Sequence, residues 1–169
     1  MRTGIVHRLD KDTSGLIEKK KNDLIHRILA DKFKEREIEK EYIALVNGRF
    51  KEKNGRIETL IGRDYIDRKK MAVVTDGGKT AITNYKVMDE NEKGSFVSLN
   101  IETGRTHQIR VHMKYEGHPI IGDKTYGMSR ERVNAERQML HSYRLVFEHP
   151  VTKKIMAFTG AVPSDFTTV

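Results

Sequence analysis

The sequence contains no cysteine, no tryptophan and only three prolines among its 169 residues. The absence of cysteine excludes disulfide bonds, a cysteine nucleophile and every metal site built on thiolates, and it fits a reducing cytoplasm. Long hydrophobic runs are also missing, since a stretch such as residues 43–46 is far shorter than the ~20 apolar residues of a membrane helix. The N-terminal residues carry no apolar signal-peptide core. We therefore expect a cytoplasmic protein without a membrane partner.

Acidic residues are in the minority, with 24 Asp and Glu against 32 Lys and Arg and a formal net charge of +8. A basic balance of this size favours a polyanionic partner such as a nucleic acid. A solvated surface of mixed charge would give the same count, so charge alone leaves both interpretations open. The length, with 37% hydrophobic and 33% charged residues, predicts a single folded domain over residues 1–169.

Apolar residues alternate with polar ones in several short segments, which is typical of strands that bury one face. Residues 57–74 read as short strands joined by exposed turns, and two further strands form a hairpin around the charged turn at 89–94. The remaining strand predictions share this alternation or a high content of β-branched and aromatic residues. The predicted strands outside 57–74 are 41–46, 81–88, 96–101, 143–147 and 155–158.

Helical spacing of apolar residues predicts two helices, over residues 23–35 and 106–115, and the polar stretch 129–139 is predicted as a third. Thr106 is the candidate N-cap of the second one. The order of strands and helices has no βαβ rhythm. It therefore indicates an α+β fold with a mostly antiparallel, mixed sheet flanked by helices.

Metal and cofactor chemistry find little support in the sequence. His107 and His112 are five residues apart, which places them about 140° apart around a helix and makes a shared metal difficult. No zinc-binding His-Glu-x-x-His pattern, nucleophile elbow or glycine-rich phosphate loop is present. We expect no metal site and no cofactor.

Two dense polar segments remain, residues 7–15 (HRLDKDTSG) and residues 103–112 (TGRTHQIRVH). An aspartate in a turn like the first segment is usually an Asx-turn or a helix cap. The second segment places several donors at the start of a helix, which also suits a solvated helix end or a phosphate-binding patch. Neither segment identifies an enzyme by itself.

Together, the two segments resemble the signature motifs of the RluA/RluD-type RNA pseudouridine synthases. Further matches follow in the same order, and the resemblance runs over nearly all 169 residues. It implies the pseudouridine synthase fold, an isomerase activity on RNA and a role in modifying ribosomal RNA. The further matches are residues 40–42 (KEY), 62–64 (GRD), 117–123 (GHPIIGD), 140–141 (LH) and 149–150 (HP).

The resemblance implies three catalytic residues. Asp10 matches the aspartate that either attacks C1′ of the target uridine or assists a glycal-type elimination. A carboxylate is competent at a glycosidic carbon and is ionised at neutral pH. Arg110 matches the arginine that pairs with this aspartate, and Tyr42 matches the tyrosine that packs on the flipped base.

The resemblance also implies an RNA partner, most directly ribosomal RNA, from which the uridine must be flipped out to expose its glycosidic bond. Arg8 matches the arginine that helps to hold the flipped nucleotide. Other basic residues near the motifs are expected to contact RNA, although solvation alone would explain each of them. These residues are Arg63, Arg68, Lys69, Lys70, Arg105 and His107.

Two departures from the family pattern carry expectations of their own. Family members have strands and a Lys-Pro-x-Gly segment some tens of residues before the first motif, whereas Met1 lies almost next to it here. We therefore expect a partial catalytic domain that lacks its first strands. Residues 18–20 (EKK) replace an apolar strand, and we expect an exposed edge or a loop there because buried unpaired charges are costly.

Three functions stay open at this point. The first is a pseudouridine synthase catalytic domain. The second is a non-catalytic RNA-binding remnant of such an enzyme, which would keep the basic surface without closing a pocket over a base. The third, weaker one is a basic structural protein whose sheet a protein partner, unknown from the sequence, completes.

Overall fold

The computed structural model describes residues 9–17, 38–130 and 133–167, which are built around an eight-stranded sheet. Seven strands lie in the order β1-β7-β2-β6-β5-β3-β4, and β8 pairs with β7. All pairings are antiparallel except the short parallel pairing of β1 with β7. The expected mixed, mostly antiparallel sheet is confirmed. The strands are β1 (Ser14–Gly15), β2 (Glu39–Asn47), β3 (Asn54–Arg63), β4 (Met71–Val74), β5 (Lys79–Glu90), β6 (Gly94–Ile101), β7 (Leu140–Glu148) and β8 (Ile155–Thr159).

The central strands form where the alternation is strongest. Val97 and Leu99 of β6 are fully buried, and they pair with β2 on one side and β5 on the other. The predicted hairpin of β5 and β6 is confirmed, with Asn91 closing its turn through its side-chain oxygen. These strands form the centre of the sheet.

Helix α1 (Gln108–Tyr115) packs across one face of the sheet. Its apolar residues Ile109 and Met113 join the main core, while Val111 contacts a smaller cluster around Ile61. Arg110 and His112 are buried as well, so this helix carries polar side chains inward. No helix in the described ranges has the length and apolarity that crossing a bilayer would require.

The N-terminus of α1 differs from the prediction. Its N-cap is His107, in the left-handed region at φ 55° and ψ 21°, and the cap makes no side-chain hydrogen bond. Thr106 is therefore not the cap. The chain turns one residue later because Gln108 Oε1 accepts the backbone N–H of Arg105 at 3.0 Å, while Gln108 Nε2 bonds to the Ile82 carbonyl of β5.

The helix predicted over residues 129–139 is wrong in the part that the structure describes, where the chain forms bends up to β7. Tertiary hydrogen bonds replace helical ones. Met139 N donates to the Ile121 carbonyl at 2.8 Å and Leu45 N donates to the Met139 carbonyl at 3.0 Å. The predicted helix over 23–35 and the expectation for residues 18–20 lie outside the described residues.

His112 of α1 is fully buried, between two threonine side chains. Thr83 Oγ1 is 2.8 Å from its Nδ1 and Thr59 Oγ1 is 3.0 Å from its Nε2. Burial lowers the pKa of His112 from 6.5 to about 4. Because both nitrogens are occupied by threonines, His112 is not available as a metal ligand.

This low pKa predicts a loss of stability in mild acid. Below the ordinary histidine pKa, the unfolded chain binds a proton that the folded chain does not bind. The free energy of unfolding should therefore fall as the pH decreases through the range between the two pKa values, by up to about 3 kcal/mol from His112. Urea unfolding at several pH values measures this. His112→Gln should flatten the curve, and an unchanged slope would exclude His112 as its source.

Candidate active site

Asp10 lies in a tight turn formed by residues 9–13, which we call the Asp10 loop. The backbone N–H of Thr13 donates to the Asp10 carbonyl at 3.1 Å, and Asp12 takes the left-handed conformation at φ 70°. Asp12 is exposed, whereas the Asp10 side chain is only 27% exposed. The turn thus directs one of its two carboxylates towards the protein.

The Asp10 loop is fixed to β7 and to the residues just before it. Gln138 Nε2 donates to the Lys11 carbonyl at 3.1 Å and to Thr13 Oγ1 at 2.5 Å. Ser14 Oγ lies 2.8 Å from His141 Nδ1, in the register where β1 pairs with β7. Because these partners belong to the sheet or adjoin it, they hold the loop against a rigid element.

Gly15 permits this close approach. It has φ 117°, and a Cβ atom at this position would lie 2.3 Å from the carbonyl oxygen of Ser142. Any side chain would therefore push β1 away from β7. The glycine at the end of the 7–15 segment is required by the contact that anchors the Asp10 loop.

Arg110 links two carboxylates from distant parts of the chain. Its Nε and Nη2 donate to Asp123 at 2.7 and 2.9 Å, and its Nη1 donates to Asp10 Oδ2 at 3.2 Å. The side chain of Asp123 is fully buried, and its Oδ1 also accepts the backbone N–H groups of Thr125 and Tyr126. The predicted pair of Asp10 and Arg110 is present, but Asp123 is the closer, bidentate partner of Arg110.

Electrostatic interactions keep both members of the pair of Arg110 and Asp123 charged. Burial would raise the pKa of Asp123, but the hydrogen bonds from Arg110, Tyr126 N and Thr125 N outweigh it and lower that pKa. Burial would lower the pKa of Arg110, but Asp123 and Asp10 together raise it. A guanidinium with a fixed orientation therefore faces the carboxylate of Asp10.

Tyr42 lies on β2, with 7% of its surface exposed. The pairing of β2 with β7 shifts register between Glu41 and Tyr42, so that Tyr42 pairs with Ser142 across the irregularity. Burial raises the pKa of Tyr42 to about 12, and the charge of Asp10 acts in the same direction. The phenol stays protonated at neutral pH.

His107 contacts Tyr126, which follows Asp123 by three residues. The hydroxyl of Tyr126 lies 2.8 Å from His107 Nδ1 and accepts the backbone N–H of Met71 at 2.9 Å. The guanidinium carbon of Arg110 lies 5.0 Å from the centre of the Tyr126 ring. Tyr126 thus connects His107, Arg110 and the start of β4.

The last residue of β3 and the connection to β4, residues 63–70, lie next to Tyr126, and we call them the basic loop. Arg63, Arg68 and Lys69 are exposed, and Lys70 lies 3.5 Å from Asp67 in an ion pair. This loop ends at Met71, whose backbone bonds to Tyr126. Four predicted RNA contacts therefore lie on one loop beside the site.

The structure does not bring all predicted residues to the same place. Arg105 Nε donates to the Thr80 carbonyl at 2.8 Å, which ties this guanidinium to β5. Arg8 lies outside the described residues. Among the described residues, no group of three or more histidine or acidic side chains is arranged to hold a metal ion.

Sequence reasoning missed two members of this network, Asp123 and Tyr126. Asp123 belongs to the 117–123 match, but neither its spacing from Arg110 nor its neighbours marks it as a functional residue. Tyr126 carries no sequence signal at all. Asp123 and Tyr126 reach Arg110 because the loop that follows α1 folds back onto this helix.

The comparison with protein families gives the site its context. A family model described as RNA pseudouridylate synthase matches residues 1–115, which include Asp10, Tyr42 and Arg110. This chain belongs to the RNA pseudouridylate synthase family. The resemblance seen in the two motifs and the fold that it implied are confirmed.

Relatives in this pseudouridylate synthase family include named bacterial proteins. The "Uncharacterized RNA pseudouridine synthase YlyB" of Bacillus subtilis is 44% identical over 165 residues, covering 98% of this chain and 54% of the relative. A "Ribosomal large subunit pseudouridine synthase D" of Neisseria meningitidis is 44% identical over 174 residues, covering 97% of this chain and 46% of the relative. The chain spans about half the length of the curated relatives it matches.

Two solved structures resemble this pseudouridylate synthase chain. "Human RNA Pseudouridylate Synthase Domain Containing 1" superposes with a TM-score of 0.84 at 31% identity, covering 94% of this chain and 69% of that chain. "Human RNA Pseudouridylate Synthase Domain Containing 4" has a TM-score of 0.80 at 22% identity, covering 98% and 73%, and supports the fold alone. This chain thus shares its fold with both structures.

Proposed function

We propose that this chain is the catalytic part of an RNA pseudouridine synthase that isomerises uridines in structured RNA, with large-subunit ribosomal RNA as its substrate. The observation that carries the proposal is the contact between Asp10 and the buried pair of Arg110 and Asp123. This contact fixes the position of the Asp10 carboxylate, which matches the family motif, and gives it a charged partner. The name of the Neisseria relative supports the choice of ribosomal RNA.

In the proposed mechanism, Asp10 acts on the sugar of a flipped-out uridine. Either its carboxylate attacks C1′ as the bond from C1′ to N1 breaks, or it assists an elimination that gives a glycal. The detached uracil then rotates and its C5 bonds to C1′. In the first route the ester between Asp10 and C1′ breaks as this bond forms, and in the second route C2′ regains the proton that it lost. C5 then loses its proton and N1 gains one. The reaction replaces a C–N bond by a C–C bond without net oxidation, so it calls for no cofactor.

The neighbours of Asp10 have distinct roles in this proposal. Arg110 donates a hydrogen bond to the carboxylate and orients it. Tyr42 offers a flat ring on which the flipped uracil packs and, with its pKa of about 12, a hydroxyl that stays protonated. Base flipping is required because a stacked uridine hides its glycosidic bond from protein side chains.

The direct test uses ribosomal RNA that lacks modifications and carries tritium at C5 of its uridines. Incubation with the chain should release tritium to water, and digestion of the RNA should yield pseudouridine. Release without pseudouridine, or no release at all, would contradict the proposal. Salt-dependent RNA binding without isomerisation would instead support the alternative of a non-catalytic RNA-binding protein.

The basic loop predicts a measurable share of RNA affinity. Lys69→Ala should weaken binding and reduce the slope of log Kd against log salt concentration by about 1, because one phosphate contact is lost. The rate at saturating RNA should stay the same. Lys154→Ala is the matched control, since Lys154 is exposed in the turn between β7 and β8. Equal slopes for both variants would remove Lys69 from the RNA interface.

A further inference from the structure

His107 combines an unusual backbone with a specific hydrogen bond. It is one of three non-glycine residues with positive φ in the described ranges, at φ 55°. This conformation is costly for most residues and is often retained at functional sites. It places the imidazole against Tyr126, with the ring centres 5.5 Å apart and the rings edge to face.

The hydroxyl of Tyr126 determines which imidazole nitrogen carries the proton. Tyr126 is 3% exposed, and its oxygen accepts the backbone N–H of Met71. Within the described residues, the acceptor for the proton of this hydroxyl is His107 Nδ1, which lies 2.8 Å from the hydroxyl oxygen. His107 Nδ1 therefore accepts a hydrogen bond, and its proton sits on Nε2.

The surrounding charges agree with a neutral imidazole. Burial lowers the pKa of His107, Asp10 and Asp123 raise it, and Arg110 and Arg63 lower it, with a net decrease. A second proton on Nδ1 would leave the Tyr126 proton without its acceptor. His107 thus offers one donor, Nε2–H, within the electrostatic reach of Asp10.

We propose that His107 is a catalytic residue whose Nε2–H donates a hydrogen bond to a carbonyl oxygen of the target uracil, and that Tyr126 fixes the required tautomer. This proposal rests on the proposed function. When the bond from C1′ to N1 breaks, its electron pair passes to the uracil and is shared with the carbonyl oxygens. A fixed donor stabilises that charge, and His107 keeps its proton throughout.

A uracil oxygen is a better partner for this group than an RNA phosphate. A phosphate would favour the doubly protonated imidazolium, which the hydrogen bond from Tyr126 opposes. Phosphate contacts are also available from the exposed side chains of the basic loop. His107 instead contacts Tyr126, and the ring of Tyr126 faces the guanidinium of Arg110, which binds Asp10.

The tautomer is tested on the free protein by the ¹⁵N chemical shifts of its histidine side chains at neutral pH. The His107 signals are assigned as those missing from His107→Asn. We expect an unprotonated Nδ1 and a protonated Nε2 in the wild type, and a mixture of tautomers in Tyr126→Phe. Protonation of Nδ1 in the wild type would overturn the proposal, whether or not the chain is active.

The contact with uracil is tested by two substitutions. Asparagine tolerates the left-handed backbone and keeps an oxygen near the Nδ1 position, but it lacks a group at Nε2. His107→Asn should reduce the single-turnover rate at saturating RNA by about 10²-fold to 10³-fold with little change in RNA affinity. His107→Gln, whose amide nitrogen reaches the Nε2 position, should retain much more of the rate.

Other outcomes identify other roles. If His107→Asn weakens RNA binding and its salt dependence but leaves the saturated rate unchanged, His107 holds a phosphate and the proposal is wrong. If His107→Asn is more active than His107→Gln, the main role of His107 is to anchor Tyr126, and the proposal is wrong. Wild-type protein that releases no tritium would overturn the proposed function and the uracil contact, but the tautomer would still be decided by the spectrum.

Discussion

Replacing Asp10 by asparagine is expected to reduce tritium release from labelled ribosomal RNA by at least about 10³-fold, while RNA affinity stays close to that of the wild type. The amide is neutral and cannot act as the nucleophile. Its oxygen can still accept the hydrogen bond from Arg110 Nη1, so the loop should keep its position. Initial rates of tritium release and filter binding measure the two quantities.

The chain contains a matched control for this substitution two residues away. Asp12 is exposed, belongs to the same loop and has φ 70°, a conformation that asparagine accepts. Asp12→Asn removes the same charge from the Asp10 loop and should keep the wild-type rate. Wild-type turnover in Asp10→Asn, or equal losses in both variants, would remove Asp10 from the catalytic role.

Asp123→Asn is expected to have the second largest effect, because it acts on both stability and rate. The substitution removes a buried charge that Arg110 binds through two hydrogen bonds, and leaves a guanidinium that is 7% exposed without its main partner. Breaking such a buried pair typically costs about 3 to 5 kcal/mol. Arg110 would also lose the anchor that aims it at Asp10, which should lower the rate by about 10²-fold.

The pair of Arg137 and Asp165 provides the control for Asp123→Asn. It has the same bidentate geometry, with distances of 2.8 and 2.9 Å, but the side chain of Asp165 is 41% exposed. Asp165→Asn should cost about 1 kcal/mol or less, because water screens exposed pairs. Urea unfolding at neutral pH measures both variants. Similar losses in the two would show that burial does not set the strength of the pair of Arg110 and Asp123.

The fold is predictable from the sequence where local pattern and tertiary environment agree. The alternation around Val97 and Leu99 predicts β6 because one strand face enters the core. The segment 129–139 is predicted as a polar helix, but the described part of it forms bends. Its backbone bonds to Leu45 and Ile121, and its Gln138 side chain bonds to the Asp10 loop. These partners are distant in sequence, so local periodicity does not report them.

The site residues also fall into two groups, those that the sequence predicts and those that it does not. Asp10 and Arg110 are predicted because each lies in a dense motif that resembles a family signature. Asp123 and Tyr126 act through Arg110 and His107 across a turn, and nothing in their own surroundings marks them. The left-handed backbone of His107 is equally hidden, since Thr106 looks like the better helix cap. Residues that position other residues are visible only when the chain is folded.

The anchoring of the Asp10 loop has a consequence for biosynthesis. Ser14 and His141, which meet where β1 joins β7, are separated by 127 positions along the chain. During translation the first of them emerges from the ribosome long before the second, and pairing over such a separation forms late. A growing polypeptide therefore contains Asp10 before it contains the contact between Ser14 and His141 that anchors the Asp10 loop. On the proposed function, ribosome-bound nascent chains should be unable to modify the RNA that surrounds them until β7 has been synthesised and folded.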